Sequence, residues 1–274
     1  MNMLATLGLS ASEIVARRDA IGGSDANIIM GGDPTKLIKL WREKRGEAPG
    51  DDLSDILAVK MGSFTEPLNV AWFTKNTGDE VRDCGKIAQH PTIAHMRCTL
   101  DGITTDAFGF DRVFEAKHTG TRSTDAEIFE RYVPQLTHNC LCAGLSGAVL
   151  SVFKGNGDWA MFEYALDADY AAALIDREAA FWECVRNGTP PAPLPPEPAP
   201  KPVGVVEYSM EGRNEWASHA AEYIDTAFAA DRHDIAKKAL KELVPDDASK
   251  CSGHGIIITR DKRGALRFAS KKEA

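Results

Sequence analysis

The chain has 274 residues, 32 basic and 40 acidic side chains and a formal net charge of −8. Hydrophobic residues make up 43% and charged residues 26%, ordinary for a water-soluble globular chain, and no apolar run approaches the ~20 residues that cross a bilayer. The acidic balance argues against a broad hold on a polyanion. The six cysteines form no CxxC pair and have no histidines at zinc spacing, which favours a reduced, cytoplasmic protein.

In chain order, the opening MNMLATLGLSASEIVARRD lacks the basic start and unbroken apolar run of a signal peptide. A Gly-Gly turn at Gly22-Gly23 then opens a short helix, Asp25 to Met30. PTKLIKLWREKRG places Leu37, Leu40 and Trp41 on one face behind a first-turn Pro34, a second helix. A longer helix is expected from Leu53 to about Lys75, with a break at Gly62. Short β-like runs follow at Glu80–Gln89, His95–Asp101, Arg112–His118, Gly147–Phe153 and Asp158–Leu166. A helix from Asp125 to Ala143 separates the third from the fourth, and an alanine-rich helix, Asp167–Arg186, stops at Gly188. This order predicts an α/β core over residues 1–188, with a central mixed β-sheet flanked by helices.

Thr189–Gly204 holds eight of the fourteen prolines and reads as a proline-rich linker at residues 189–204, a polyproline spacer in preference to a ligand for an aromatic groove. Residues 205–274 form a separate segment of unassigned role: a helix from Glu215 to Leu243, ended by Pro245, then a β-hairpin from Gly255–Thr259 and Ala265–Ala269 around RDKRG. From Lys250 to Ala274 it carries seven basic and two acidic residues, suited to phosphate contact or to solubilising an edge hairpin.

The densest chemistry lies in CTLDGITTDAFGFDRVFEAK. Asp101 ends one β-like run, and Glu115 and Lys117 sit two apart on the next, hence on one face, with His118 on the other. Two carboxylates and one ammonium in a small volume suit Mg²⁺, a hard cation that keeps several waters, with a lysine beside it to steer an attacking water. The same pattern arises in solvent-facing strand charges. Upstream, Arg17 lies seven residues before Ser24, and the turn with its helix N-terminus makes an anion pocket suited to phosphate; an ordinary N-cap by Ser24 or Asp25 is the competing reading. Glu66 precedes Pro67 in an otherwise apolar helix, and Tyr132 and Gln135 share a helix face. His90, His95 and His138 rank below the carboxylates as metal ligands, and Cys140 and Cys142 read as buried packing.

Five blocks in order carry a resemblance: RRDAIGGSDA (Arg17–Ala26), GSFTEP (Gly62–Pro67), LDG (Leu100–Gly102), FEAK (Phe114–Lys117) and YVPQLTH (Tyr132–His138). Over about residues 10–185 the chain resembles the lambda exonuclease-like, YqaJ-type viral recombinase nucleases of the PD-(D/E)xK superfamily. The resemblance implies a restriction-endonuclease-like core in which Asp101, Glu115 and the Ala116 carbonyl hold Mg²⁺, two ions per site, with Mn²⁺ substituting. Glu66 is implied as a further acidic ligand, Lys117 as the group that activates water, and Gln135 and Tyr132 as its neighbours, with Pro134 in the first turn of their helix. Arg17 and Ser24 are implied to bind a terminal 5′-phosphate, with Arg18 competing for the role of Arg17. The implied activity is 5′-to-3′ digestion of one strand of linear double-stranded DNA, leaving 3′ single-stranded overhangs for phage-type recombination. Implied partners are double-stranded DNA ends, further copies in a trimeric ring and a single-strand annealing protein, in the cytoplasm of a bacterial host carrying a phage or prophage. Two other readings stay open: an endonuclease of the same superfamily, and a catalytically silent DNA-binding or assembly module.

Overall fold

A computed structural model describes residues 18–48, 56–204, 210–261 and 263–270. The chain divides into two compact units, Met1–Val205 and Val206–Ala274.

The first unit opens with helices α1 (Gly23–Met30), α2 (Pro34–Lys44) and α3 (Leu57–Thr77). α1 begins two residues before the expected Asp25, because the Asp25 carboxylate reaches back to accept the Gly22 N–H at 2.9 Å. Asp33 caps α2 by accepting from the N–H groups of Thr35 and Lys36. α3 runs through Gly62 without the expected break: a glycine inside a helix costs only about 1 kcal/mol, and an added Cβ there would meet nothing within 4 Å. It ends at Gly78, in the left-handed region. Its expected start at Leu53 lies outside the described residues.

Strands β1 (Val81–Arg82), β2 (Ile87–Gln89), β3 (Arg97–Thr99), β4 (Gly102–Thr105) and β5 (Asp111–Thr119) precede helix α4 (Asp125–Ala143); β6 (Gly147–Lys154), β7 (Asp158–Ala165) and α5 (Ala168–Asn187) close the unit. The expected single strand Glu80–Gln89 is split into β1 and β2 by a turn in which Asp83 and Gly85 both take positive φ. The expected run His95–Asp101 likewise ends at Thr99, and a further strand, β4, follows at once. Asp101 therefore sits in the link between β3 and β4. The main sheet has the order β1-β4-β5-β6-β7, with β5 and β6 parallel across the α4 crossover and the remaining pairs antiparallel. This is the expected mixed sheet flanked by helices. β2 and β3 form a separate antiparallel pair.

Alternation along β5 sorts its side chains between two layers. Val113 joins Leu150 and Val152 beneath Ile128, Phe129, Val133 and Leu136 of α4, whereas Phe114 and Ala116 pack against Phe73 of α3. Pro134 is not in the first turn of α4. The Thr124–Glu127 capping box fixes the helix start ten residues earlier, and Pro134 is buried in the helix interior.

The proline-rich segment carries no helix or strand, but it is not a free spacer. Arg177 of α5 donates to the Pro195 carbonyl and pairs with Glu197, and the Val203 N–H donates to the Glu163 carbonyl. The second unit comprises α6 (Asn214–Glu242) and strands β8 (Lys250–Gly253), β9 (Ile256–Arg260) and β10 (Leu266–Ser270), in the antiparallel order β10-β9-β8. The expected hairpin thus gains a third strand, folded back at His254-Gly255, where both residues take positive φ. Among the described residues, no helix is long and apolar enough to cross a membrane.

Candidate active site

Glu115 lies in the middle of β5 and is 1% exposed. Its Oε1 accepts from the Lys117 ammonium at 2.5 Å and the Gln135 amide at 2.6 Å, and its Oε2 accepts from the Asn139 amide at 2.9 Å. Asp101 reaches the same strand from the β3–β4 link, its Oδ2 accepting the Ala116 N–H at 2.9 Å. The Lys117 ammonium lies 5.3 Å from the centre of the Tyr132 ring. Of the residues expected to form a site, Asp101, Glu115, Ala116, Lys117, Tyr132 and Gln135 are therefore neighbours. Glu66 joins them electrostatically from α3. The alignment of α3 is set one turn on by Asn69, whose amide donates to the carbonyls of Lys117 and Ser151 while its oxygen accepts the Ser151 hydroxyl.

The charges in this volume do not balance. Burial and the Asp101 carboxylate push Glu115 up to about 7, against the opposing pull of Lys117. Burial raises Asp101, opposed by Lys117 and the Ala116 N–H; burial and Asp101 raise Glu66. Burial works against the Lys117 ammonium, yet Glu115 and Asp101 hold its pKa above the ordinary lysine value. Among the described residues, one ammonium thus serves three carboxylates. Among the described residues no three His, Cys, Asp or Glu side chains form a ready-made metal cage. The donors themselves, carboxylate oxygens and a nearby backbone carbonyl, are of the hard type that Mg²⁺ prefers.

Three further residues shape this centre and were not singled out from sequence. Asn139 lies one helical turn beyond Gln135, on the same face of α4, so the i, i+4 spacing was the available signal. Among the described residues its Oδ1 has no hydrogen-bond partner; it is buried and crowds Gly23, where an added Cβ would lie 2.4 Å from it. Asn27 of α1 accepts the Gln135 backbone N–H at 3.0 Å and donates to the Gln135 side-chain oxygen at 3.3 Å. Lys44 of α2 pairs with Asp25 at 2.5 Å, both buried, and also donates to the Ala20 carbonyl. The Gly-Gly-Ser turn is therefore held from below by Lys44 and packed from the side against the amides that hold Glu115.

Ser24 is exposed in the first turn of α1. Arg17 lies outside the described residues; Arg18 places its guanidinium against Gly46. Asp25, not Ser24, supplies the cap of α1. His138 is a core pin: both it and Glu178 are fully buried, 2.9 Å apart, and its other nitrogen meets the Arg97 carbonyl. His90 accepts from the N–H groups of Thr92 and Ile93, and His95 stacks on Trp182. His118 lies on the opposite face of β5, against Thr65 and the Gly155 carbonyl. Cys140 and Cys142 are buried.

An acidic pair and a lysine on neighbouring segments of a mixed sheet, with a helix Gln beside them, define a core of the PD-(D/E)xK type. Residues 14–146 match the family model of the YqaJ-like viral recombinase domain, so this part of the chain is similar to that family. "Uncharacterized protein YqaJ" of Bacillus subtilis (strain 168) is 29% identical over 187 residues, 65% of this chain; the match spans just over half of that relative, 57% of its length. The fold is similar to that of the alkaline exonuclease LHK-Exo from Laribacter hongkongensis, with a TM-score of 0.52 and 16% identity over 66% of this chain and 94% of that one. A second structure of that enzyme, in complex with dAMP, matches equally well.

Proposed function

We propose that this protein is a metal-dependent 5′-to-3′ exonuclease acting on the ends of linear double-stranded DNA. The observation that carries the reading is the cluster of Asp101 and Lys117 around the buried Glu115, a carboxylate excess that a divalent cation would relieve. Asp101, Glu115 and the Ala116 carbonyl would hold Mg²⁺, with Mn²⁺ as a substitute, two ions in all and Glu66 the further ligand. A bound cation supplies charge stabilisation to the attacked phosphate and lowers the pKa of a water. Lys117 orients that water, its direction fixed by Glu115 and the Tyr132 ring. Gln135, pinned by Asn27, keeps Glu115 aligned between Lys117 and Asn139.

Polarity in this reading comes from the turn at the start of α1. Ser24 and the N-terminus of α1, with Arg17, receive a terminal 5′-phosphate; Arg18 is the competitor for that role. The products are mononucleotides and 3′ single-stranded overhangs, used for recombination by strand annealing with an annealing protein as partner. The enzyme works as a homo-oligomer, a trimeric ring, in the cytoplasm of a host carrying the phage or prophage.

Linear duplex with 5′-phosphate ends and Mg²⁺ tests the assignment. The wild-type protein should digest it, and Lys117→Ala and Glu115→Gln should lose at least 100-fold, on the order expected for removing an electrostatic catalytic group. Undiminished digestion by both variants refutes the site. Cleavage of covalently closed circles would support the endonuclease instead.

A further inference from the structure

Antiparallel pairing sorts the three strands of the second unit onto two faces. The cross-strand registers set Lys250, Thr259 and Arg267 in one row and Ser252, Ile257 and Ala269 in the next, so these six side chains share a face. The other face carries Cys251, Ile258 and Phe268 in register. That face is covered: Ile258 is buried, and the Lys237 ammonium of α6 lies 5.9 Å from the centre of the Phe268 ring. The first face is open, with Ile257 half-buried and its other five residues exposed.

The open face carries no carboxylate, and its first row is an ammonium, a hydroxyl and a guanidinium. Neighbouring strands lie about 4.8 Å apart, so the Lys250 and Arg267 backbones stand about 10 Å apart with Thr259 between them. Arg263, exposed in the β9–β10 turn, adds a cation at the edge. Asp261 organises that turn by accepting the N–H groups of Arg263 and Ala265. It also pairs with Arg267 at 3.1 Å, which orients the guanidinium but leaves the Arg267 side chain 75% exposed. An exposed pair of this kind is weak and leaves the arginine open to a further anion. Arg260, by contrast, donates to the carbonyls of Pro245, Ala248 and Gly264 and serves the fold.

We propose that this open face is a sequence-independent contact for the phosphate backbone of duplex DNA, with Lys250, Thr259 and Arg267 as its central row. The inference rests on the reading of the protein as one that acts on DNA ends. Lysine, arginine and threonine side chains are among the groups that reach phosphate oxygens in protein–DNA contacts. Over Lys250–Ala274 seven basic residues stand against two acidic ones, a local charge opposite to that of the chain as a whole and complementary to a polyanion. A membrane surface fits the face less well, because it has no aromatic side chain and only Ile257, half-buried, as an apolar group larger than alanine to insert.

The test measures binding of the full chain to a duplex closed by hairpin loops at both ends, in EDTA, by fluorescence anisotropy across a salt series. With neither ends nor metal, this probe separates backbone contact from nuclease action. Lys250→Ala with Arg267→Ala should make the slope of log affinity against log salt shallower by about 1.8, since each lost phosphate contact removes about 0.9. Lys238→Ala with Lys241→Ala takes as much charge from α6 and should leave the slope unchanged. Lys250→Arg with Arg267→Lys keeps both charges and should keep the wild-type slope. Circular dichroism of each variant separates lost contact from lost folding, and Lys250→Gln with Arg267→Gln repeats the test where the alanine pair unfolds. No binding of the wild-type chain to the closed duplex overturns the proposal, as does a slope unchanged by the Lys250 and Arg267 substitutions. An equal loss in the α6 variant overturns it too, because general charge and not this face would then hold the DNA. Binding to phosphatidylserine vesicles that is lost in the Lys250 and Arg267 variant while DNA binding is kept would assign the face to a membrane instead. Digestion of linear duplex is assayed separately, so failure of the exonuclease reading and failure of this contact are told apart.

Discussion

Replacing Asn139 by alanine removes the only donor that Glu115 Oε2 has among the described residues, a 2.9 Å bond to a fully buried carboxylate. In metal-free protein Glu115 is pushed up to about 7 from an ordinary 4.5. A raised carboxylate makes a contribution to stability that is full below the unfolded-state value and is lost as pH rises through the folded one. For Glu115 that window is pH 4.5 to 7, and the loss is on the order of 3 kcal/mol at most. Asn139 opposes this loss, because it donates to the charged form. A hydrogen bond to a charged group is worth about 1.5–3 kcal/mol and a neutral one about 0.5–1.5. Asn139→Ala should therefore cost about 1–2 kcal/mol more at pH 9 than at pH 5, and the titration of Glu115 should move up by about one pH unit. Urea unfolding at the two pH values in EDTA measures the first, and carbon-13 NMR of labelled glutamate the second. Asp101 and Glu66 are present in both proteins, so the comparison isolates the loss of the Asn139 bond. An equal cost at both pH values would show that Asn139 does not sense the charge on Glu115, and the electrostatic account of the centre would fail.

Other consequences follow from the neighbouring contacts. Gly23→Ala drives a Cβ to 2.4 Å from Asn139 Oδ1, so it should cost about 1–3 kcal/mol by thermal unfolding and lower nuclease turnover at least tenfold. Wild-type turnover in that variant would separate the α1 turn from the carboxylate centre. Lys44→Met strands the buried Asp25 carboxylate and should cost about 3–5 kcal/mol in urea unfolding; a change under 1 kcal/mol would contradict the buried pairing. His138→Leu and Glu178→Leu should each cost a similar amount, while the double variant should cost less than their sum, since no unpaired charge is left. Additive losses would mean that the two side chains do not act as a pair. Removing Asn27 (Asn27→Ala) should lower turnover with little effect on KM, because its hydrogen bonds hold Gln135 in place.

Much of the centre was legible in the sequence because strand and helix periodicities are local. Two-residue spacing put Glu115 and Lys117 on one face of β5, and three-residue spacing put Tyr132 and Gln135 on one face of α4. The mixed sheet, the long helices and the stop at Gly188 were read from the same short-range signals. What local pattern did not reveal depends on contacts between distant segments. Asn27 and Gln135 are 108 residues apart, Asn69 and Ser151 82, and Lys44 and Asp25 belong to different helices; only packing brings them together. The same holds for the short strand β4, formed by pairing with β1 and β5, and for the strapping of the proline segment by Arg177 and Glu163. Pro134 shows the limit in the other direction: it read as a first-turn residue, yet it lies buried inside a helix whose capping box is ten residues earlier. The sequence thus determined which candidate side chains share a face of which element. The tertiary structure decided their state of charge, because the burial and crowding that push Glu115 up to about 7 exist only once α3, α4 and the sheet have closed around it.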